Sequence, residues 1–226
     1  MNPVLVAHGT RKACGVTMIG DLAERVGAVL GVLVQTAFVD VLGPSPAYVL
    51  RTLPGPAVLV RAFLAGGYHV HTDIPAHVAA SGHRDVIVTE PLGPSQQMVR
   101  AMTDRMLESG WRPSDSVVMA AAGSSDPRAR ADLRTTAVLL SAAIGQRVEP
   151  AFAATGEPCV ADAVADLRSR GARRVVVTSY LLADGLFQDR LLASGADVVT
   201  HPLGTHPGVV RLIASRFRRA RLPLAA

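Results

Sequence analysis

Short runs of aliphatic and β-branched residues alternate with segments of helical pattern along the whole of this 226-residue chain. The apolar runs predict eight strands, near residues 3–8, 33–39, 57–62, 85–90, 115–121, 148–153, 173–179 and 196–201. A predicted helix follows each strand, near residues 16–30, 45–53, 72–81, 95–109, 128–145, 159–170, 186–194 and 207–221. This alternation indicates βαβ units, which build parallel sheets. Continuously apolar strands such as VVMAAA are typical of a sheet that is covered on both faces.

The composition agrees with an α/β fold and leaves two architectures open. Hydrophobic residues make up 49% of the chain and aromatic residues only 4%, so the core consists mostly of alanine, valine and leucine. Eight strand–helix units are compatible with a single (β/α)₈ barrel, and equally with two doubly wound domains of four units each. The length of the chain does not decide between them.

The two halves of the sequence resemble each other at an offset of about 114 residues, which indicates an internal duplication. The aligned segments are PVLVAHGT with SVVMAAAGSS, FVDVLGP with FAATGEP, RAFLAGGYH with SYLLADGLF, and PLGPSQQMVRAMTDR with PLGTHPGVVRLIASR. The repeat predicts an N-terminal domain of residues 1–112 and a C-terminal domain of residues 113–226, with the boundary between Gly110 and Pro113. A duplicated half-barrel would give the same repeat, so the barrel stays open on the repeat alone.

Cysteine usage, charge and hydropathy exclude several classes of protein. Cys14 and Cys159 lie far apart and form no C-x-x-C pair, so neither a structural zinc site nor an iron–sulfur cluster is indicated. The net charge of +5 comes with no nucleic-acid recognition motif. No apolar run reaches the roughly 20 residues that a membrane span needs, and no signal peptide is visible. We therefore expect a cytoplasmic protein that binds neither nucleic acid nor membrane.

Three polar residues stand just after the first three predicted strands. His8 follows strand 1, Asp40 follows strand 2, and His69 lies in the glycine-rich loop after strand 3. Because ligands of parallel α/β sheets bind beyond the carboxyl ends of the strands, we expect the three side chains within reach of one another. Two imidazoles and a carboxylate suit a first-row divalent metal without selecting which one. Imidazole also accepts protons near neutral pH.

Each candidate also has a purely structural interpretation. His8 precedes Gly9 and is compatible with a hydrogen-bonded histidine at a strand end, while Asp40 is compatible with a turn residue. Asp73 stands before Ile74 and Pro75, which predicts a helix N-cap with proline in the first helical turn. The spacing alone does not choose between these interpretations and a metal site.

Three segments of the first half resemble motifs of the sirohydrochlorin cobalto-/ferrochelatase family, within the class II chelatase superfamily. LVAHGTR is similar to the family's H-G-S/T-R motif at a strand end, and AFVDVLGPS is similar to its F-x-E-x-x-x-P-S segment. RAFLAGGYHVHTDIP resembles F-L-x-x-G-x-H-v-x-x-D-I-P, the most specific of the three. The similarity extends over the whole duplicated chain.

The resemblance implies an α/β fold of two Rossmann-like, doubly wound domains with parallel sheets, which face a central cleft. It implies a lyase that inserts Fe²⁺, for sirohaem, or Co²⁺, for cobalamin, into sirohydrochlorin with release of two protons. His8 and His69 would bind the metal and handle protons, and Asp40 would take the acidic position, which is usually a glutamate. The metal would be a substrate, with no permanently bound cofactor, and a monomer would suffice.

The same resemblance suggests which residues contact the tetrapyrrole. In the first half the candidates are Arg11 and Arg61, as partners of the substrate carboxylates, and Tyr68. In the second half, Ala122 and Phe187 stand where the repeat would place the histidines, so that half has lost its own site. We expect it to form the opposite wall of the cleft. Its candidate substrate contacts are Ser124, Ser125, Leu186 and Phe187.

Three other functions compete with this interpretation. A metallochaperone or tetrapyrrole carrier would keep the same histidines but show no turnover. A ferrochelatase acting on another porphyrin is disfavoured by the short chain and the duplicated halves. A generic α/β hydrolase or transferase is disfavoured because no G-x-S-x-G elbow, P-loop or G-x-G-x-x-G motif is present.

Overall fold

The structure is a computed structural model that describes residues 1–10 and 12–221. The strands are β1 (Asn2–Ala7), β2 (Gln35–Phe38), β3 (Ala57–Arg61), β4 (Val86–Val88), β5 (Ser116–Gly123), β6 (Glu149–Thr155), β7 (Val175–Tyr180) and β8 (Val198–Val199). The helices are α1 (Ala13–Leu30), α2 (Pro46–Thr52), α3 (Ile74–Ser81), α4 (Gln96–Glu108), α5 (Pro127–Ile144), α6 (Val160–Ser169), α7 (Leu186–Leu192) and α8 (Pro207–Arg221). A π-helical turn, His69–Asp73, leads into α3. Every predicted strand and helix therefore has a counterpart in the structure.

The strands form two separate parallel sheets of four strands each. Their orders are β2-β1-β3-β4 and β6-β5-β7-β8, the same order in both halves. In each sheet the two central strands are the first and the third strand of that half. The chain therefore reverses its direction of winding beside the first strand. This topology excludes the barrel and confirms two doubly wound α/β domains.

The compact units differ from the two halves of the sequence by one helix each. One unit comprises residues 1–92 together with α8, and the other comprises residues 93–206. Helix α4 contacts α5 and β7, whereas α8 contacts α1 and β3. The predicted boundary at residue 112 follows the repeat, but the apolar faces of α4 and α8 are buried in the unit formed by the other half. Periodicity reveals that a helix has such a face and not which sheet covers it.

Local signals explain where the helices start and stop. Ser45 and Ser95 cap α2 and α4 by accepting hydrogen bonds from the backbone N–H groups of Tyr48 and Met98. Gly31 ends α1 in the left-handed conformation, which costs glycine little because it has no Cβ. Among the described residues, none of the helices combines the length and the apolar character that crossing a bilayer requires.

Each unit has its own aliphatic core. In the first unit the core includes Val4, Val6 and Leu59, which are fully buried on the central strands. In the second unit Val175 and Val177 take the corresponding place on β7. Because such strands are covered on both faces, the ends of the strands are where polar side chains become accessible, and the candidate site lies there.

Candidate functional site

His8 and His69 come together at the carboxyl edge of the first sheet. His8 follows β1 directly, and His69 begins the π-helical turn after β3. Strands β1 and β3 pair in parallel, with Val6 opposite Arg61, so the chain leaves both strands at the same edge. The two imidazole rings lie with their centroids 4.4 Å apart and their planes inclined by 35°. The expected convergence of the two histidines is therefore present in the structure.

The backbone around His8 is tied closely to the end of the neighbouring strand β2. The N–H of Asp40 donates to the carbonyl oxygen of His8 at 3.0 Å. Gly9 has a φ of +99°, and a Cβ at this position would collide with the carbonyl oxygen of Asp40. Only glycine fits both the left-handed conformation and the close approach, so the H-G pair of the motif has a steric cause.

A carboxylate holds the second histidine. The Nδ1–H of His69 donates to Oδ2 of Asp73 at 2.5 Å, one helical turn further along. Asp73 stands at the N-cap position of α3 with Pro75 in the first turn, as expected, but its backbone is already helical and its side chain makes no capping hydrogen bond. This contact fixes the proton on Nδ1, leaving Nε2 with a lone pair for a metal or a proton. The H-x-x-x-D spacing was the signal in the sequence, since residues four apart share a helix face.

Apolar and aromatic side chains surround the histidine pair within the first unit. The ring of Tyr68 meets His69 edge-on at 6.0 Å and is 61% exposed, although tyrosine carries a large apolar surface. Phe63 lies 6.5 Å from His69 on another side. Val41 and Leu42 are also exposed at the end of β2. The edge of the first sheet therefore presents an apolar rim beside two imidazoles.

The surroundings of His8 favour its neutral form. The residue is exposed by surface area, yet the groups around its ring remove enough water to lower its pKa below the ordinary value of 6.5. The neighbouring His69 lowers the pKa further, while the carboxylates of Asp40 and Asp73 act in the opposite direction. The net lowering keeps a lone pair available on His8 at neutral pH.

Asp40 lies near His8 without completing a group of three ligands. One carboxylate oxygen accepts a hydrogen bond from the N–H of Val41 at 2.7 Å. Within residues 1–10 and 12–221, no three His, Cys, Asp or Glu side chains converge closely enough to hold a metal ion. The structure thus brings together the two predicted histidines, and Asp40 acts on His8 through its charge. A direct contact between Asp40 and the metal stays a prediction.

The two arginines expected to bind substrate carboxylates have different outcomes. Arg11 lies outside the described residues. Arg61 is buried, and its guanidinium donates to the carbonyl oxygens of Thr89 and Val70 and to the carboxylate of Glu90. These contacts favour a structural role for Arg61 over a contact with substrate carboxylates.

The second half carries its candidate residues at the corresponding edge of its own sheet. Ser124 follows β5, and its hydroxyl accepts a hydrogen bond from the N–H of Asp126 at 3.1 Å. Ser125 stands beside it in the turn that leads to α5. Leu186 and Phe187 open α7 and are both exposed. Their contacts with a substrate stay a prediction.

Several known proteins are similar to this chain over most of its length. A sirohydrochlorin ferrochelatase of Priestia megaterium is 24% identical, over 96% of this chain and 90% of its own length. A sirohydrochlorin cobaltochelatase of the same organism is 25% identical, over 71% of this chain and 57% of its own length.

Two solved structures share the fold. SirB from Bacillus subtilis with Fe³⁺ has a TM-score of 0.82 at 21% identity, covering 97% of this chain and 96% of that chain. CbiX, described as the terminal enzyme for biosynthesis of siroheme in denitrifying bacteria, has a TM-score of 0.74 at 22% identity, covering 99% and 100%.

A family model extends the likeness to both halves of the chain. The model described as CbiX matches residues 2–109 and again residues 116–220, so each half matches it separately. The repeat in the sequence and the identical strand order of the two sheets have the same cause, a duplicated unit of this family. The motifs around His8 and His69 pointed to this group of proteins, and that resemblance is confirmed: the chain belongs to the CbiX family.

Proposed function

We propose that this protein is a sirohydrochlorin chelatase, a lyase that inserts Fe²⁺ or Co²⁺ into the tetrapyrrole. The observation that carries the proposal is the pair of imidazoles with centroids 4.4 Å apart at the edge of the first sheet. The matched relatives named for ferrochelatase and cobaltochelatase activity support the same reaction. The metal is a substrate here, because it enters with the reaction and leaves in the product.

The chemistry of insertion needs a metal donor and a proton acceptor at the same place. The ring loses two pyrrole N–H protons as one divalent cation enters, so charge balances when two protons leave. His8 is neutral near pH 7 and can give up a bound metal or accept a proton. Asp73 orients His69 through its bond to Nδ1, which leaves Nε2 directed away from the carboxylate and available for a metal or a proton.

The apolar rim is suited to one face of a macrocycle. Tyr68, Val41 and Leu42 offer exposed apolar surface next to the histidines, where a planar ring would otherwise leave its face in water. We further propose that Arg11 binds carboxylates of the substrate, and that Ser124, Ser125, Leu186 and Phe187 also contact it. The cytoplasmic location and the monomeric state stay predictions, and size-exclusion chromatography with light scattering tests the second.

Two imidazoles do not distinguish iron from cobalt. Neutral histidine binds Fe²⁺, Co²⁺ and neighbouring divalent metals, with affinities that follow the general order of these ions rather than their biological use. A relative named as a ferrochelatase and a relative named as a cobaltochelatase both match this chain. The protein's metal is therefore proposed as a class, Fe²⁺ or Co²⁺, and competition between the two ions at equal free concentration measures the preference.

The decisive experiment follows the absorbance of sirohydrochlorin after Co²⁺ is added to catalytic amounts of protein. We expect His8→Ala and His69→Ala each to lower the rate of insertion by at least about 100-fold, because general-base catalysis contributes 10²–10⁴. The matched control is His71→Ala, since His71 is exposed in the same turn. Losses smaller than about threefold in both site variants would contradict the assignment, because they fall below that range. Binding of metal and ring without turnover would instead indicate a carrier.

A further inference from the structure

The guanidinium of Arg61 is buried, and each of its three nitrogens donates a hydrogen bond to another group of the first unit. Arg61 is the last residue of β3 and is only 8% exposed. Its Nε donates to the carbonyl oxygen of Thr89 at 2.5 Å and its Nη1 to that of Val70 at 3.3 Å. Its Nη2 donates to Oε2 of Glu90 at 3.4 Å. These bonds use three of the five N–H groups, one on each nitrogen, and the burial of the side chain limits its access to a substrate carboxylate.

These contacts connect the two segments that carry the histidines. Arg61 pairs with Val6 on β1, and the next residue, Ala62, donates its N–H to the carbonyl oxygen of Val6 at 2.7 Å. His8 is two residues beyond Val6. On the other side, Val70, whose carbonyl oxygen accepts from Nη1, is the residue after His69. The backbone of β3 at Arg61 therefore joins the strand that precedes His8, and the side chain of Arg61 joins the turn that begins at His69.

The turn that carries His69 needs such a link. It is a π-helical turn, a wide and rare geometry that occurs mostly in single turns, often at functional sites. Tyr68, which precedes it, makes no capping hydrogen bond with its side chain. Within the turn, the N–H groups of Val70 and His71 both point to the carbonyl oxygen of Gly67. The bond from Arg61 reaches the turn from the sheet and restrains its position against β3.

We propose that Arg61 is a positioning residue of the metal site, which sets the place of His69 relative to His8 by holding the Val70 carbonyl. The proposal rests on the proposed function, since it takes these two histidines as the metal ligands. Arginine suits the task because its planar fork donates in several fixed directions, while an ammonium group on lysine is a single flexible point. Arg61 thereby acts on the metal and not on the carboxylates of the substrate.

The second half makes the same link with neutral side chains. Ser179 occupies the position of Arg61 in the repeat, and its hydroxyl donates to Oε1 of Gln188 at 2.8 Å. Nε2 of Gln188 donates to the carbonyl oxygen of Thr200 at 3.0 Å. The strand end, the following helical segment and the last strand are thus joined in both halves. Ser179 provides a matched control, because it belongs to the half in which Ala122 and Phe187 stand in place of His8 and His69.

The test is a titration of the whole protein with Co²⁺ alone, followed by visible absorption, and separately with sirohydrochlorin alone, followed by fluorescence. We expect Arg61→Met to weaken Co²⁺ binding about tenfold and to leave sirohydrochlorin binding within about twofold, because groups that orient metal ligands typically contribute 10–100-fold. Arg61→Lys should lose less, because its ammonium can still donate to one of the carbonyl groups. Ser179→Ala should leave the Co²⁺ affinity unchanged.

Other results would overturn the proposal. Unchanged Co²⁺ affinity in a folded Arg61 variant would exclude the positioning role, and Arg61→Lys decides if Arg61→Met does not fold. A loss of sirohydrochlorin affinity as large as the loss of Co²⁺ affinity would indicate that Arg61 binds the substrate. His69→Ala separates the two proposals: if it still binds Co²⁺ normally, the proposed function itself fails, whatever the Arg61 variants do.

Discussion

The two halves of the chain build the same backbone at the carboxyl edges of their sheets, but only the first places the two histidines, the proposed metal ligands, on it. Gly9 and Gly123 have φ values of +99° and +92°. A Cβ on either would collide with a backbone carbonyl oxygen of the adjacent segment, that of Asp40 in the first half and that of Thr155 in the second. The ends of the first two strands thus approach each other as closely in the second half, although Ala122 there takes the place of His8.

Hydrogen bonds between backbone groups repeat in the same way. They close the loop after the second strand of each half and join the loops after the third and fourth strands. The repeated bonds run from Phe38 N to Pro44 O and from Phe152 N to Pro158 O, and from Leu92 N to Phe63 O and from Leu203 N to Leu181 O. The conserved geometry therefore belongs to the fold and is not specific to metal binding.

The second half lacks the histidine pair, the carboxylate that holds it, and the turn that carries them. Ala122 replaces His8, Phe187 replaces His69, and, when the alignment is continued, Leu191 replaces Asp73. Leu191 is fully buried in the core of the second unit. The π-helical turn of the first half has no counterpart there, because Phe187 and Leu191 lie in the regular helix α7. The chemistry of the site thus depends on few residues, which a shared scaffold holds.

The largest combined effect, on stability and on Co²⁺ binding together, should come from adding a methyl group at the paired glycines. We expect Gly9→Ala and Gly123→Ala each to lower the free energy of unfolding by about 2–4 kcal/mol, because both add left-handed strain and a collision with backbone. Only Gly9→Ala should also weaken Co²⁺ binding. Urea denaturation and a Co²⁺ titration measure the two effects.

A third glycine separates strain from collision. Gly55 has a φ of +69° with open space around it, so Gly55→Ala should cost only about 1–2 kcal/mol. If Gly123→Ala reduced Co²⁺ affinity as much as Gly9→Ala does, the claim that only the first half binds metal would be broken.

The next effect concerns Asp73 and Leu191, which occupy the same position of the repeat. Asp73→Ala should weaken Co²⁺ binding by about 10–100-fold, because it removes the carboxylate that orients His69. Leu191→Ala should lower the free energy of unfolding by about 2–5 kcal/mol, because it leaves a cavity in the core, without changing Co²⁺ affinity. Equal Co²⁺ affinity in Asp73→Ala and the unmodified protein would show that Asp73 has no role in metal binding.

The sequence predicted most of the fold because each element carries its own local signal. Strand β5 carries the continuous apolar run VVMAAA, and caps such as Ser45 and Ser95 mark the helix starts. The assignment of α4 and α8 to the two units was missed because it depends on which sheet buries an apolar face. Local pattern does not contain that information.

For the site, the sequence predicted the convergence of the two histidines better than the groups that hold them. His8 and His69 stand at strand ends, where the parallel topology alone brings them together. Asp73 was assigned to a helix cap alone because it precedes Ile74 and Pro75, and the H-x-x-x-D spacing that also allows its contact with His69 was not interpreted. The role of Arg61 depends on burial and on three acceptors distant in the chain, so charge alone suggested a substrate contact.

The smallest effect is the response of the histidine pair to pH, for which the second half has no counterpart. His8 should titrate below pH 6.5 in NMR spectra, because loss of water and the neighbouring His69 lower its pKa. In His69→Ala the midpoint should rise, and in Asp40→Asn it should fall, since Asp40 opposes the lowering. The control is His71→Ala, which should leave the midpoint of His8 in place.

The lowered pKa of His8 also determines how the free energy of unfolding changes with pH. Above pH 6.5 both folded and unfolded chains hold His8 neutral, so the residue adds no pH dependence there. As the pH falls below 6.5, the unfolded chain takes up the proton first, and the free energy of unfolding decreases until the folded protein is protonated as well. In His8→Ala this part of the decrease should be missing. Ala122, which takes the place of His8 in the second half, has no proton to gain or lose and so makes no such contribution. A midpoint for His8 at or above 6.5 would show that the pair does not favour the neutral form.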